Sequence, residues 1–567
     1  MTARNEFVRL ALVCIAIGLL VCAWSFAVPS TVIRFEDVAG QSGIHAQMRC
    51  GGPEKKWIPE ANGSGAAWLD YDRDGRIDLF IVNGSTIDDL RQIAAGKVPA
   101  PREGSLYLYR NLGGGRFEDV TARAGLADPY WGTGVAVADF NGDGYPDILV
   151  TNIGLDLLFR NNGDGTFTEV GRQAGLSRKI AWHTGAAFGD YDGDGRLDLY
   201  VAGYVSLGAL HLDAPAPVCN YRSIPGFCGP KGLVGEPDIL YHNEGDGRFT
   251  DATRKARVED TNLYHGFTVV FDDFNHDGKV DIFVANDSDP NYLYLNQGNG
   301  VFKEAGLSSG VAFNGDGQSQ ANMGVAVGDF DNDGLIDLLT TTFSEDYFPF
   351  FKQQSPGLFE DVSAQAGLTN ATFPWVGWAC GFADLDNDGR KDLWMANGHV
   401  YPNADALSTT SYLQPVALFA NRGGKFVRVT DPGGERKGSY RGGCSGDFNN
   451  DGKIDLVVLP IAGAPLLLEN KTEAGSHWIG LELRGKPGNR DGIGAQVRIQ
   501  YCGSSQSESM RNGGSYVSHN DPRIHFGLGS CGKVDRLNIR WPGGRQQVVE
   551  NIAADRYTTI EEPQDRE

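Results

Sequence analysis

Seven copies of one nine-residue pattern, Asp-x-Asp/Asn-x-Asp-Gly-x-x-Asp, run through this chain, and at their four acidic positions they carry 25 aspartates and three asparagines. A hard cation such as calcium takes six to eight oxygen ligands at short range. In a tight loop, alternate side chains point the same way, so positions one, three and five converge. The glycine at position six turns the chain sharply. Position seven can offer its backbone carbonyl, and the aspartate at nine returns from the next strand. In the first copy these are Asp70, Asp72, Asp74, the carbonyl of Arg76, and Asp78. The other copies begin at Asp139, Asp190, Asp273, Asp329, Asp384 and Asp447. The competing reading is a set of Asx-turns held by side-chain hydrogen bonds without metal. Four uncompensated carboxylates in one loop would repel, which favours a bound ion, and magnesium fits less well because it demands tight octahedral geometry. A catalytic metal needs an open position beside an acid or base. Seven equivalent loops make no such distinction, so the ions are expected to be structural.

The loops need strands to hold them. Small apolar runs precede them (Gly134–Ala138, Gly185–Phe188, Gly324–Val327), and β-branched runs follow (Ile77–Val82, Ile148–Val150, Leu197–Val201). A third run leads into Asn-x-Gly-x-Gly-x-Phe, as at Asn111–Phe117, Asn161–Phe167 and Asn243–Phe249, where glycine supplies the positive φ of a hairpin turn. A fourth follows, for example Phe117–Val120. Four antiparallel strands per repeat make a propeller blade, and a repeat of several tens of residues signals a propeller or a solenoid. The last repeat (Ile454–Leu459, Leu466–Glu469) lacks its fourth strand. The N-terminus carries an orphan one, Phe35–Ile44, which matches Phe117–Leu126 and Phe359–Leu368. The first strand is expected to complete the last blade and remove the free edges that a linear array would expose.

This frame resembles the FG-GAP/VCBS repeat family over about residues 31–470. The resemblance implies an all-β fold: a seven-bladed β-propeller closed by the N-terminal strand. It also implies the same ligand roles in the remaining loops: Asp139, Asn141, Asp143, Tyr145 and Asp147; Asp190, Asp192, Asp194, Arg196 and Asp198; Asp273, Asn275, Asp277, Lys279 and Asp281; Asp329, Asp331, Asp333, Leu335 and Asp337; Asp384, Asp386, Asp388, Arg390 and Asp392; Asp447, Asn449, Asp451, Lys453 and Asp455. The three loops with asparagine at position three lose one charge and are expected to bind more weakly. After Asn470 the acidic loops stop while strand-like runs continue (Trp478–Leu483, Ala495–Tyr501, Leu537–Trp541). The stretches Asn489–Ala495 and Asn520–Gly529 resemble the ASPIC/UnbV domain, as in the cartilage acidic protein 1 family, over about 471–561. A small β-sandwich is expected there, with Arg490, Asp491, Asn520, Asp521 and His525 as turn-formers.

A formal net charge of −22 makes nucleic acid and anionic membrane poor partners. Divalent ions in seven loops would offset most of it. Residues 1–28 read as an export signal or membrane anchor: Arg4 and Arg9 precede an apolar run from Leu10, and Ser25-Phe26-Ala27 offers a cleavage site. Any membrane contact is expected through this segment alone. In an exported chain cysteines pair. Cys219 with Cys228 and Cys502 with Cys531 are the plausible pairs, leaving Cys50, Cys380 and Cys444 unassigned.

Chain direction puts the long insertions (84–105, 203–238, 398–413) on the face opposite the acidic loops, where binding would sit on a rigid scaffold. Trp57, Trp131, Trp182, His183, His265, Trp375, Trp378, His399 and Arg441 lie in or near the connecting loops there. They could ring a central channel and receive a ligand, or simply pack between blades. The expectation is an exported calcium-binding scaffold, extracellular, periplasmic or on the outer surface, for a protein, matrix or glycan ligand. The alternative is a polysaccharide-cleaving lyase or hydrolase with its site on that face. No Ser-His-Asp set or paired-carboxylate site can be singled out.

Overall fold

The repeating element is a four-stranded antiparallel meander whose first two strands are joined by the acidic loop. In the first unit the strands are Ala66–Leu69, Asp78–Val82, Leu106–Gly113 and Arg116–Asp119, with Ala66 opposite Ile81, Phe80 opposite Leu108 and Asn111 opposite Phe117. The first two strands are buried throughout, whereas on the fourth only Phe117 is buried. Small and β-branched residues therefore lead each repeat, and polar alternation closes it. The computed structural model describes residues 32–430 and 434–564; the leader assigned to 1–28 lies outside them. Among the described residues no helix is long and apolar enough to cross a membrane.

The meander recurs with first strands Trp131–Ala138, Ala181–Gly189, Gly266–Asp272, Val325–Gly328, Gly377–Ala383 and Tyr440–Gly446. The second and third units merge into one eight-stranded sheet through Ala181 opposite Gly154 and Trp182 opposite Ile153. Leu466–Asn470, the third strand of the last unit, pairs antiparallel with the N-terminal strand Phe35–Asp37, Phe35 opposite Asn470. First strands of neighbouring units pack side by side, and Tyr440–Gly446 touches both Gly377–Ala383 and Ala66–Leu69. Glycine is required where these strands meet. A Cβ on Gly324 would stand 2.0 Å from the Trp378 carbonyl oxygen, and one on Gly442 would stand 2.1 Å from that of Ser64.

The C-terminal region forms two sheets around one apolar core that includes Ile479, Leu481, Val497, Leu537 and Trp541. One sheet runs Ile524–Gly529, His477–Arg484, Tyr557–Glu561, the last two parallel. The other runs Ser504–Ser509, Gln496–Tyr501, Lys533–Arg540, Gln546–Ala553. Cys502–Cys531 is a disulfide of this region and Cys219–Cys228 staples an insertion, as the spacing suggested; Cys50, Cys380 and Cys444 are buried free thiols.

Between the two sheets the chain leaves the sandwich and threads the middle of the repeat units. Asn512–Gly513 pairs with the strand Gly266–Asp272. Ser515 then bridges Val325, Tyr516 bridges Gly443, and His519 bridges Ala67. The Tyr516 hydroxyl donates to the Asn62 carbonyl at 3.0 Å, and the Val135 amide donates to the Val517 carbonyl at 3.1 Å. The first strands of five units thus grip one segment.

Candidate metal loops

Each acidic loop is folded by its own carboxylates. In all seven, the aspartate at position one accepts from the amides of positions five and six at 2.7–3.1 Å. The aspartate at five accepts from the amide of position seven, as Asp74 does from Arg76 at 3.1 Å. The glycine at six has φ between 81° and 98°, which a side chain would strain.

The aspartate at position nine is the buried corner. Asp78, Asp198, Asp281, Asp337 and Asp455 are fully buried, and Asp147 and Asp392 nearly so. Each accepts from the amide of one residue on the third strand: Asn111, Asn161, Asn243, Asn296, Gln353, Asn421 and Asn470, at 2.7–2.9 Å. That residue's side-chain amide donates to a carbonyl at position two of the preceding unit's loop. Asn161 reaches Tyr71, Asn243 reaches Phe140 and Asn470 reaches Leu385, while Asn111 of the first unit reaches Phe448 of the last. Sequence reasoning took this asparagine only as a turn residue. Its recurrence at one position was the signal for its second task as a staple between units.

Burial makes the ninth carboxylates reluctant to ionise. Desolvation lifts Asp78 to about 9, Asp281 and Asp337 to about 8 and Asp198 to about 7, and raises Asp147, Asp392 and Asp455 well above 3.8. Buried carboxylate oxygens of Asp72, Asp147, Asp281 and Asp386 have no hydrogen-bond partner. A hard cation would satisfy both conditions, so the donor set fits a divalent ion.

The loops divide by composition. In the four all-aspartate loops, three carboxylates place oxygens within 4.8 Å of one another: Asp70, Asp72 and Asp78; Asp190, Asp192 and Asp194; Asp329, Asp331 and Asp333; Asp384, Asp386 and Asp392. Each of these loops also has a basic side chain from its own third strand or the turn after it. Arg110 lies 2.6 Å from Asp72, Lys352 2.9 Å from Asp333, and Arg422 3.7 Å from Asp388. His242 lies 3.1 Å from Asp198 and completes a further cluster with Asp192. These four flank the staple residue in sequence and were not foreseen.

The loops with Asn141, Asn275 and Asn449 meet the C-terminal region at their first residue or the residue before it, and the sixth loop meets it through the Asn387 carbonyl, which accepts from the Gly529 amide at 2.8 Å. The Asp139 amide donates to Asp491 at 2.9 Å, Gln496 donates to Asp273 at 2.9 Å, and the Tyr557 hydroxyl donates to Asp447 at 2.8 Å. Asn520 accepts from the Ser445 amide and Asp521 from the Asp447 amide. His525 lies 3.0 Å from the Gly452 carbonyl. Asp491, Asn520, Asp521 and His525, taken from sequence as turn-formers, therefore also fasten this region to the acidic-loop face.

On the opposite face, Trp57, Trp131, Trp182, His183, His265, Trp375, Trp378, His399 and Arg441 are all buried. Four of them belong to the packed middle: Trp57, Trp131, Trp182 and Trp378 share one apolar cluster with Tyr516, Val517 and the insertion residues Leu90, Leu210 and Tyr401. The Arg441 guanidinium stacks on Trp378 at 4.1 Å and donates to the carbonyls of Ala61, Gly398, His399 and Tyr440. Burial beside that arginine pushes His399 down to about 3. His183 is held by Asp156 at 2.6 Å and His265 by Asp289 at 2.7 Å. The structure thus brings part of this set together as core, not as an open surface.

Comparison with known proteins agrees with the motifs. The FG-GAP-like repeat family matches residues 70–150, 140–201 and 273–340, and the family described as ASPIC and UnbV matches 485–567. Cartilage acidic protein 1 of Mus musculus is 26% identical over 462 residues, covering 76% of this chain and 65% of its own length. The Homo sapiens protein is 25% identical over 518 residues, covering 88% of this chain and 63% of its own. The chain thus spans a little under two thirds of these relatives. A solved Agrocybe aegerita lectin, described as recognising non-reducing terminal N-acetylglucosamine, overlaps 65% of this chain and 81% of its own at 16% identity, with a TM-score of 0.36. A score that low carries no argument.

Proposed function

We propose that this chain, which carries FG-GAP-like repeats ahead of an ASPIC/UnbV domain, is an exported seven-bladed propeller closed on itself and stabilised by calcium. It acts outside the cytoplasm as a binding or adhesion scaffold for a protein, matrix or glycan ligand. The repeats and the relatives fit an extracellular binding protein. The observation that carries the calcium reading is the set of buried loop oxygens without partners. Three links support closure: Phe35–Asp37 on the last unit, Asn111 on the Phe448 carbonyl, and Gly442 against Ser64. The lyase or hydrolase reading would draw on histidines and tryptophans that are buried and bonded within the protein.

The test has two parts. Elemental analysis of the purified chain should find calcium. A glycan-and-protein array should retain a ligand with calcium and lose it after chelation, with no product released. Absence of bound calcium would defeat the ion reading, and an array without any retained ligand would defeat the scaffold reading.

A further inference from the structure

The outer sheet of the C-terminal sandwich has two chemically opposite faces. Val497, Ile499, Leu537 and Ile539 point into its core and are buried. Alternation sends Gln496, Arg498 and Gln500 outward on one strand, and Arg536, Asn538 and Arg540 outward on its neighbour. The register sets these side chains side by side: Gln496 opposite Arg540, Arg498 opposite Asn538, Gln500 opposite Arg536. Ser505 and Ser507 extend the ladder on the other side. Arg498 and Arg540 are diagonal neighbours, roughly 7–8 Å apart at the backbone.

This polar face forms one wall of a cleft of about 430 Å³, whose far wall carries His276, Asp329 and Gly334 from the acidic loops. That volume lies in the range of small-molecule sites, about 300–1,000 Å³. The acids on its rim are already occupied. Asp329 accepts from the amides of Asp333 and Gly334. Glu508 is paired with Arg511 at 2.6 Å and Lys391 at 2.7 Å, which hold its carboxyl down at about 2 against the cost of burial. The arginines are less committed. Among the described residues Arg498 has no carboxylate partner and donates only to the Ser505 hydroxyl at 3.3 Å; Arg540 lies 3.4 Å from Gln496 and 3.8 Å from Asp273. A chain of formal charge −22 therefore keeps two under-used guanidinium groups, set among side-chain amides, in one concave site.

We infer that this cleft binds an acidic saccharide, with Arg498 and Arg540 taking its carboxylate or sulfate groups and Gln500, Asn538 and Gln546, which stands opposite Arg540, taking its hydroxyls. Planar guanidinium forks match such anions, and amides both donate to and accept from sugar hydroxyls. The inference rests on the scaffold reading above and narrows its ligand to one class and one site.

The experiment is calorimetric titration of the full calcium-loaded chain with a uronic-acid tetrasaccharide, a sulfated tetrasaccharide and a neutral one. The expected result is binding of one or both acidic probes, weakened by salt, and none of the neutral probe. The double variant R498Q/R540Q, shown to be folded by circular dichroism, should lose at least about tenfold in affinity. N538D, which sets a carboxylate between the two arginines, should weaken binding in the same direction. Uronate binding assigns the anion as carboxylate and sulfate-only binding assigns it as sulfate; either supports the site. Equal affinity in wild type and both variants would overturn it. So would failure of both acidic probes while the array finds another ligand, an outcome that leaves the scaffold reading standing.

Discussion

The four all-aspartate loops and the three asparagine loops share one backbone and differ in what balances their charge. Where position three is Asp, a basic residue beside the staple leans over the loop: Arg110, His242, Lys352 or Arg422. Where it is Asn, that help is missing. Leu295 precedes the staple in the fourth unit, Arg160 is drawn off to Asn162, and Glu469 in the last unit accepts from the Asn449 side chain at 3.1 Å. An aspartate at 449 would face that glutamate. These three loops give their first aspartate residue to the C-terminal region, through Asp491, Gln496 and Tyr557. The motif thus comes in two charge settings: four loops cluster carboxylates that could hold an ion, and three offer their first residue to the C-terminal region, which the sixth loop also meets through the Asn387 carbonyl and Lys391.

Removing the ions should have the largest effect. Each site filled at a hundred times its Kd stabilises the folded state by about 2.7 kcal/mol, so four such sites contribute roughly 10 kcal/mol. Melting temperature measured with calcium and after exhaustive chelation should differ by more than about 10 °C. An unchanged value would reduce all seven loops to Asx-turns and erase the distinction between them. The chelated protein should also respond to pH in a definite direction. Its ninth aspartates bind protons more tightly folded (Asp78 to about 9, Asp281 and Asp337 to about 8) than at the ordinary value of 3.8. Stability from these protonated carboxyls is complete below about pH 4 and is lost as pH rises through 8–9. Chelated protein should therefore melt higher at pH 5.5 than at pH 8, and calcium should flatten or reverse that slope.

Breaking a staple comes next. Asn111→Ala frees the buried Phe448 carbonyl and opens a gap between the first unit and the last, at a cost of about 2–3 kcal/mol. Loss of the same size in Asn243→Ala, which joins two internal units, would mean that the first and last units are held like any other pair. A negligible loss in Asn111→Ala alone would argue for an open array.

Smaller effects should convert one class of loop into the other. Asp386→Asn removes a buried acid from the sixth loop and should cost about tenfold in the calcium affinity of one tight site, roughly 1.4 kcal/mol. The reciprocal change needs two substitutions. Asn449→Asp alone meets Glu469 and should gain nothing, whereas N449D/E469K supplies both the acid and the base and should add a tight site by calorimetry. If N449D alone gains a site, the third-strand base is irrelevant.

The fold was legible because its determinants are local and repeated. The Asp-Gly spacing, the small strand before it and the Asn-x-Gly turn after it each specify one meander, and the unmatched Phe35–Ile44 pointed to its partner near Leu466–Asn470. The loops were legible at positions one to nine for the same reason. What escaped depends on long-range placement. Nothing local in Ser515-Tyr516-Val517 says that it will occupy the middle of the units, and that occupancy turns Trp131, Trp182 and Trp378 from an open aromatic rim into core. His242 and Lys352 stand far in sequence from the carboxylates they meet, so only the register of the third strand against the second reveals the pairing.

The last effect, smaller at acid pH than any above, tests whether the asparagine loops are docking points. Tyr557→Phe deletes one hydroxyl that donates to the first aspartate of the last loop and leaves the ring packed on Trp478 and under the Arg523 guanidinium. A hydrogen bond to a charged acceptor is worth about 1.5–3 kcal/mol, and to a protonated one about 1. Burial raises Asp447 only to about 6, because Arg523 and the tyrosine oppose the rise. The loss should therefore be nearer 2 kcal/mol at pH 8 and nearer 1 at pH 5, measured by denaturant unfolding of the chelated chain, because a bound cation would hold the carboxylate ionised at both. Protease cleavage near residue 471 should rise in parallel if the C-terminal region loosens from this loop. A pH-independent loss would mean that the tyrosine serves packing alone, and that the last loop differs from the all-aspartate set for reasons other than docking.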